Sequence, residues 1–348
     1  MPQLAYSFDE LYTSHDYAAS HLVAGRTIHG GYDESGKYVS PRALLREQAI
    51  SNWTEALQLR GGDWLFADSS LLNGPRMPNV EQHRFLLNHG LGRTLWNGLT
   101  ITAKLEARGR MLAEVEFPNL QKIIAEDISQ MALGHLNGGM LSAHGIDEGG
   151  DPDKGIGGHD VMWYIARDLL FGDNAFADVE PPESISRPET GQRLMPLIPV
   201  EFEGMIGFLM NLLMIEFRAE IGFSLYQEVL RTPGLFACTD EDAALAADII
   251  ERVRTDEDIH VRSLRLYLGE LRAVTLKTVS GGEGGEVKGA EVIDPYWQGL
   301  VQWATVEQPV LAAKMQREFI EPQILALAKD VSAGQQLVAE FDQLADSF

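Results

Sequence analysis

The chain has 348 residues, a formal net charge of −23, 45% hydrophobic residues and a single cysteine, Cys238. That size suits one large domain or two ordinary ones, and the apolar content excludes global disorder. The acidic balance, with no basic patch, argues against nucleic acid, and one cysteine excludes an internal disulfide and fits a reducing, cytoplasmic setting.

The N-terminus, MPQLAYSFDELY, has neither a basic nor an apolar leader region, so no signal peptide is read. The first forty residues are polar and glycine-bearing and are expected to form an irregular arm on the main body. Ser40 and Pro41 then introduce a helix through ALLREQAISNWTEALQL, stopped by Gly61 and Gly62. Residues 63–78 read as a loop containing Pro75 and Pro78. Helical patterning spans 80–117, weakened by Gly90, Gly92 and Gly98. In its second half Leu99, Ala103, Glu106, Arg110 and Ala113 share one face.

After a break at Pro118, a second helix is expected over 119–143, with Ile124, Ile128, Met131 and His135 as its apolar stripe and Asp127 and Gln130 beside it. Residues 145–158, GIDEGGDPDKGIGG, read as a solvated turn, since they lack both an EF-hand pattern and a strand before a dinucleotide fingerprint. His159 and Asp160 open a further helix, and residues 173–200 are irregular and rich in proline. His83, His89, His144 and His159 are expected to be surface or capping histidines.

A third helix is expected over 200–230. Met205, Leu209, Leu212, Glu216, Ala219, Glu220 and Phe223 lie on one face, so two glutamates interrupt an apolar stripe. The apolar run at 205–215 is about half the roughly 20 residues needed to cross a bilayer, so it reads as a buried helix and no membrane partner is expected. A fourth helix over 239–271 opens with Thr239 and Asp242, close to a capping box. Its stripe through Ala246, Ile250, Val253, Leu264, Tyr267 and Leu271 meets Glu257 and His260 at the centre. A carboxylate turned toward a core needs a partner, and a metal ion is one. The glycine-rich residues 279–291 are expected to be flexible, with two or three helices in the tail. The expected organisation is an arm and helix over 1–79, a helical bundle over 80–278 and an appended tail over 279–348.

No period-two segment of any length is read, so the fold class is all-α. Two helical hairpins, 95–143 and 200–271, with one long connection between them, are similar in connectivity to the ferritin-like superfamily of di-iron or di-manganese carboxylate proteins. The resemblance covers roughly residues 90–271 and implies a four-helix bundle with the tail helices against its outside. The family's last E-x-x-H falls on Glu257 and His260, its third-helix glutamate on Glu216 with Glu220 as alternate, and its first-helix glutamate on Glu106. On the second helix its E-x-x-H would fall on residues 132–135, which keeps His135 but puts Ala132 in place of the carboxylate.

The metal set implied is therefore Glu106, His135, Glu216, Glu220, Glu257 and His260, holding one or two ions of iron or manganese. Arg110 and Arg262 are candidates to orient the ligands, while Tyr226 and Tyr267 read as core aromatics. Two functions follow. One is an oxidoreductase using dioxygen or a peroxide on a small apolar substrate. The other is a metal-free helical binding or scaffold protein, in which these groups pair with one another. A homodimer is expected through an apolar tail surface containing Trp297, Trp303, Val310 and Leu311.

Overall fold

The computed structural model describes residues 2–73, 76–188, 191–279 and 285–346. Residues 280–284 of the glycine-rich stretch and Pro75 of the early loop lie outside them. The described chain is mostly helical. The arm carries α1 (Phe8–Tyr12) and the short antiparallel pairs β1 (His21–Val23) with β2 (Arg26–Ile28) and β3 (Gly31–Tyr32) with β4 (Tyr38–Val39). Then come α2 (Ala43–Leu59), α3 (Val80–Asn88), α4 (Arg93–Gly109), α5 (Leu141–Gly149) and α6 (His159–Phe171). The long helices α7 (Val200–Leu230) and α8 (Asp240–Ala273) follow, then the hairpin of β5 (Thr275–Lys277) and β6 (Glu286–Lys288). The tail is α9 (Gly289–Gln302), α10 (Gln308–Ala326) and α11 (Val331–Gln343).

Helix α8 starts where the sequence places it, with the Thr239 hydroxyl accepting from the Asp242 amide at 3.1 Å. It packs against α7, α6, α2 and α9, and α4 packs against α6. The expected helix over 119–143 is absent. Residues 110–140 hold short 3-10 turns and one π turn instead. Two local causes are visible. The Asn137 amide bonds the backbone of Phe117 in both directions, at 2.9 Å each, and folds the chain back on itself. Gly139 takes φ of 110°, a left-handed conformation that ends helical continuity. The helix that packs against both α4 and α8 is α6, preceded by α5. The expected solvated turn is partly helix, since α5 runs to Gly149.

Two apolar clusters make most of the core. One gathers α2, the 117–141 segment, the N-terminal half of α7 and the C-terminal half of α8. The other gathers α4, α6 and the opposite halves of α7 and α8. Along α7 the first cluster ends at Met214 and the second begins at Phe223; along α8 the change falls between Val253 and Ile259. Glu216, Asp256 and Glu257 lie in these gaps. A polar layer therefore crosses the core at the seam between two apolar halves.

Of the expected tail contact surface, Trp297 is buried while Val310 and Leu311 are exposed. Among the described residues, no helix is long and apolar enough to cross a membrane.

Candidate metal centre

Seven side chains from five helices meet in the polar layer. Glu106 comes from α4, His144 and Glu148 from α5, His159 from the start of α6, Glu216 from α7, and Glu257 and His260 from α8. They form two overlapping quartets. The first is His144, Glu148, Glu216 and His260; the second is Glu106, Glu148, His159 and Glu257. Within each quartet one ligand atom per residue lies within 4.8 Å of the others, and Glu148 belongs to both.

The approach of α5 depends on glycine. A Cβ on Gly145 would lie 2.3 Å from the Ala113 amide nitrogen, and one on Gly149 would lie 2.5 Å from Arg110 Cβ. At Gly109 of α4 it would lie 2.6 Å from Glu148 Cγ. These glycines let backbone and side chain come close enough to deliver His144 and Glu148, and they do not break the helix. In the same way, a Cβ on Gly158 would lie 2.5 Å from Asp147 O, in the turn that swings His159 back over Glu148.

Inside the first quartet His144 Nε2 lies 3.1 Å from Glu216 Oε1 and 3.3 Å from Glu148 Oε1, and His260 Nδ1 lies 3.2 Å from Glu148 Oε1. Inside the second, His159 Nδ1 lies 3.2 Å from Glu257 Oε1 and 3.6 Å from both Glu148 and Glu106. His260 Nδ1 reaches Glu257 Oε2 at 3.0 Å and so links the two. Several of these buried atoms have no hydrogen-bond partner: Glu148 Oε1, Glu257 Oε1 and His159 Nδ1. His144 Nε2 with Glu216 Oε1 and His260 Nδ1 with Glu257 Oε2 are hydrogen-bonded, while the unpartnered atoms, withdrawn from water, fit a donor set arranged around an ion.

The two inward-facing imidazoles are held from behind by carboxylates. Asp147 accepts from His260 Nε2 at 3.3 Å and from Arg46 at 2.6 Å. Asp256 accepts from His159 Nε2 at 3.1 Å, His29 Nε2 at 3.0 Å and the Tyr38 hydroxyl at 3.0 Å. Each contact fixes the Nε2 proton and turns Nδ1 into the cluster, the arrangement common behind metal-bound histidines. His29 and Tyr38 come from the arm, which is pinned to the α5–α6 turn by the His29 amide bonding Gly157 O at 3.0 Å.

Electrostatics set these acids apart from one another. Burial, then the Glu148 charge, pushes the Glu106 carboxyl well above its usual range. Burial with Glu257 and Glu148 does the same to Glu216. Burial and Glu148 oppose ionisation of Glu257, but His260 and His159 outweigh them and bring it to about 2. Burial and the stacked ring of His260, 3.6 Å away, bring His144 down to about 4. Charge is thus shared through proton positions across the whole cluster, as expected when like charges crowd in low dielectric.

Of the residues expected from sequence, Glu106, Glu216, Glu257 and His260 come together here. His135 stands apart. Its Nε2 accepts the Tyr6 amide at 3.2 Å, its Nδ1 bonds Met131 O at 2.8 Å, and its ring packs on Trp53. Glu220 also stands apart. It pairs with Arg254 through both oxygens at the edge of the bundle, because α7 turns its side chain away from the cluster. Neither Arg110 nor Arg262 approaches the cluster acids: Arg110 lies against Glu114, and Arg262 against Glu47 and Asp258. Tyr226 and Tyr267 are core aromatics, the first set edge-on to Trp163 and the second buried.

The expectation of surface histidines fails for His83, His144 and His159, all buried. The missed ligands carry one readable signal. His144 and Glu148 are four residues apart and share a helix face, but the surrounding glycines and aspartates mask the helix. Comparison of the chain with protein-family models, curated proteins and solved structures finds no match.

Proposed function

We propose that the chain is a dinuclear metal–carboxylate protein, binding two divalent ions of iron or manganese at the two quartets with Glu148 between them. The observation that carries this reading is the convergence of seven buried or nearly buried side chains from five helices, with Glu148 Oε1, Glu257 Oε1 and His159 Nδ1 left unpartnered among them. The donor chemistry fits. Four carboxylates, Glu106, Glu148, Glu216 and Glu257, balance the charge of two divalent ions, and three neutral imidazoles complete the set. The placement of Glu106, Glu216, Glu257 and His260 on α4, α7 and α8 supports a distant relation to the ferritin-like superfamily, with α6 in place of the expected second helix and His144 and Glu148 in place of the missing second E-x-x-H.

The activity best supported is an oxidoreductase acting on a small, largely apolar molecule. A cavity of about 510 Å³ opens beside the cluster, with Glu106, Glu148 and Glu216 in its wall. Bound iron or manganese would supply Lewis acidity and redox capacity toward dioxygen or a peroxide. The chain's own contributions are separable. Asp147 and Asp256 hold His260 and His159 in the required tautomer. The apolar clusters on either side exclude water from the layer.

The test is elemental analysis of protein purified without chelator, alongside Glu148→Ala. About two equivalents of metal per chain in the wild type, and loss in the variant, are expected. Wild type that stays metal-free when offered Fe(II) or Mn(II) would leave the metal-free scaffold as the better reading. A homodimer is supported by Val306, Val310, Leu311 and Met315, each at least half exposed on the tail. Light scattering showing a monomer at high micromolar concentration would reject it.

A further inference from the structure

The same cavity carries a cation that the metal cluster does not use. Its wall includes the cluster acids Glu106, Glu148 and Glu216, which form the inner end toward the metal cluster, together with Arg218 and Gln308. Between them the wall is apolar, with Leu105, Phe208, Leu212, Ile215, Phe223 and Trp303. The Arg218 guanidinium bonds Gln308 Oε1 at 3.1 Å, and its Nε is buried without a partner. No carboxylate pairs with it among the described residues. Arg108 at the rim differs, because its guanidinium is already taken by the carbonyls of Pro182 and Glu183 at 2.8 and 3.3 Å. A guanidinium half withdrawn from water without a counter-ion is an unfavourable arrangement that an anionic ligand would offset.

We infer that this cavity binds an amphipathic monocarboxylic acid, whose carboxylate pairs with Arg218 and whose apolar body lies along the wall toward Glu106, Glu148 and Glu216. This rests on the metal-centre reading above for the role of the inner end. The polarity of the site fixes the orientation. At the inner end the acids already balance the charge of the ions and leave a carboxylate no net attraction, while at Arg218 it gains charge-assisted hydrogen bonds. The cavity volume falls within the roughly 300–1,000 Å³ of small-molecule sites. Gly222 marks the open space in the wall, since a Cβ there would meet nothing within 4 Å.

The test is calorimetric titration of the metal-loaded full chain with octanoate and, separately, with octanamide, which has the same body without the charge. The wild type should prefer octanoate by about tenfold, the equivalent of one charge-assisted contact. Arg218→Gln should bring the two ligands within about twofold of each other at unchanged metal content. Gly222→Leu, which fills the space without backbone strain, should weaken both by about tenfold or more. Failure of the wild type to bind octanoate overturns the inference. So does a preference that survives in Arg218→Gln, which would mean that the carboxylate sits on the metal. Repeating the titrations on metal-free protein, with metal content measured in each sample, separates the two claims. A chain that never holds metal but shows the Arg218-dependent preference fails the metal reading and keeps this site.

Discussion

Asp256 accepts a hydrogen bond from His159 Nε2 at 3.1 Å, and this contact decides that His159 presents Nδ1 to Glu257, 3.2 Å away. The two residues belong to different helices, and the same carboxylate oxygen also collects His29 and Tyr38 from the arm. Asp256→Asn keeps the shape but loses the charge that orients three donors. Its metal affinity should fall by about 10–100-fold, as for other carboxylates behind metal-bound histidines. Competition titration against a coloured chelator measures this; an unchanged affinity would mean that Asp256 serves the fold alone.

Gly145→Ala tests whether close approach of α5 builds the site. The added Cβ would lie 2.3 Å from a backbone nitrogen at Ala113, which cannot rotate away. The variant should lose about 1–3 kcal/mol of stability through overpacking and should also lose metal, because His144 and Glu148 move with the helix. Loss of stability with full metal content would show that α5 can deliver its ligands from further away.

His135 serves as a control. His135→Leu leaves the buried Tyr6 amide without its acceptor and should cost about 1–3 kcal/mol. Metal content should stay at the wild-type level, since His135 touches none of the cluster residues. Glu220→Ala should likewise keep its metal and lose less than about 1 kcal/mol, because its Arg254 partner is partly exposed. Metal loss in either variant would redraw the site.

Glu270 gives a pH dependence outside the cluster. Burial raises its carboxyl to about 7, although the Leu133 amide at 3.0 Å and Arg60 at 2.8 Å favour its charge. A folded pKa above the unfolded value of about 4.3 means that the folded state binds the extra proton between those values. Stability should therefore fall as pH rises from about 4.5 through 7 and level off above. Glu270→Gln should flatten this slope, gaining up to about 3 kcal/mol relative to wild type at pH 8. Urea titrations at pH 5 and pH 8 measure it, and parallel profiles for the two proteins would contradict the assignment.

Sequence alone determined the two long helices and the inward placement of Glu216, Glu257 and His260 on them. The reason is local. On α8 an apolar stripe with a period near 3.6 specifies both the helix and its inward face, and α7 is apolar nearly all round, so a polar residue among those apolar positions is visible as an interruption. Glu106 was legible in the same way on α4. What only the tertiary structure decided was the other half of the centre. His135 lies on an apparent stripe, but Asn137 and Gly139 fold that segment into turns. Glu220 shares a face with Glu216, yet a few tens of degrees of helix rotation send it to Arg254. Helix α5 is too short for periodicity to speak, and its glycines mean breakage or close packing depending on what an added Cβ would meet. That depends on Ala113 and Arg110, which lie well before α5 along the chain, and so does the position of His144 and Glu148.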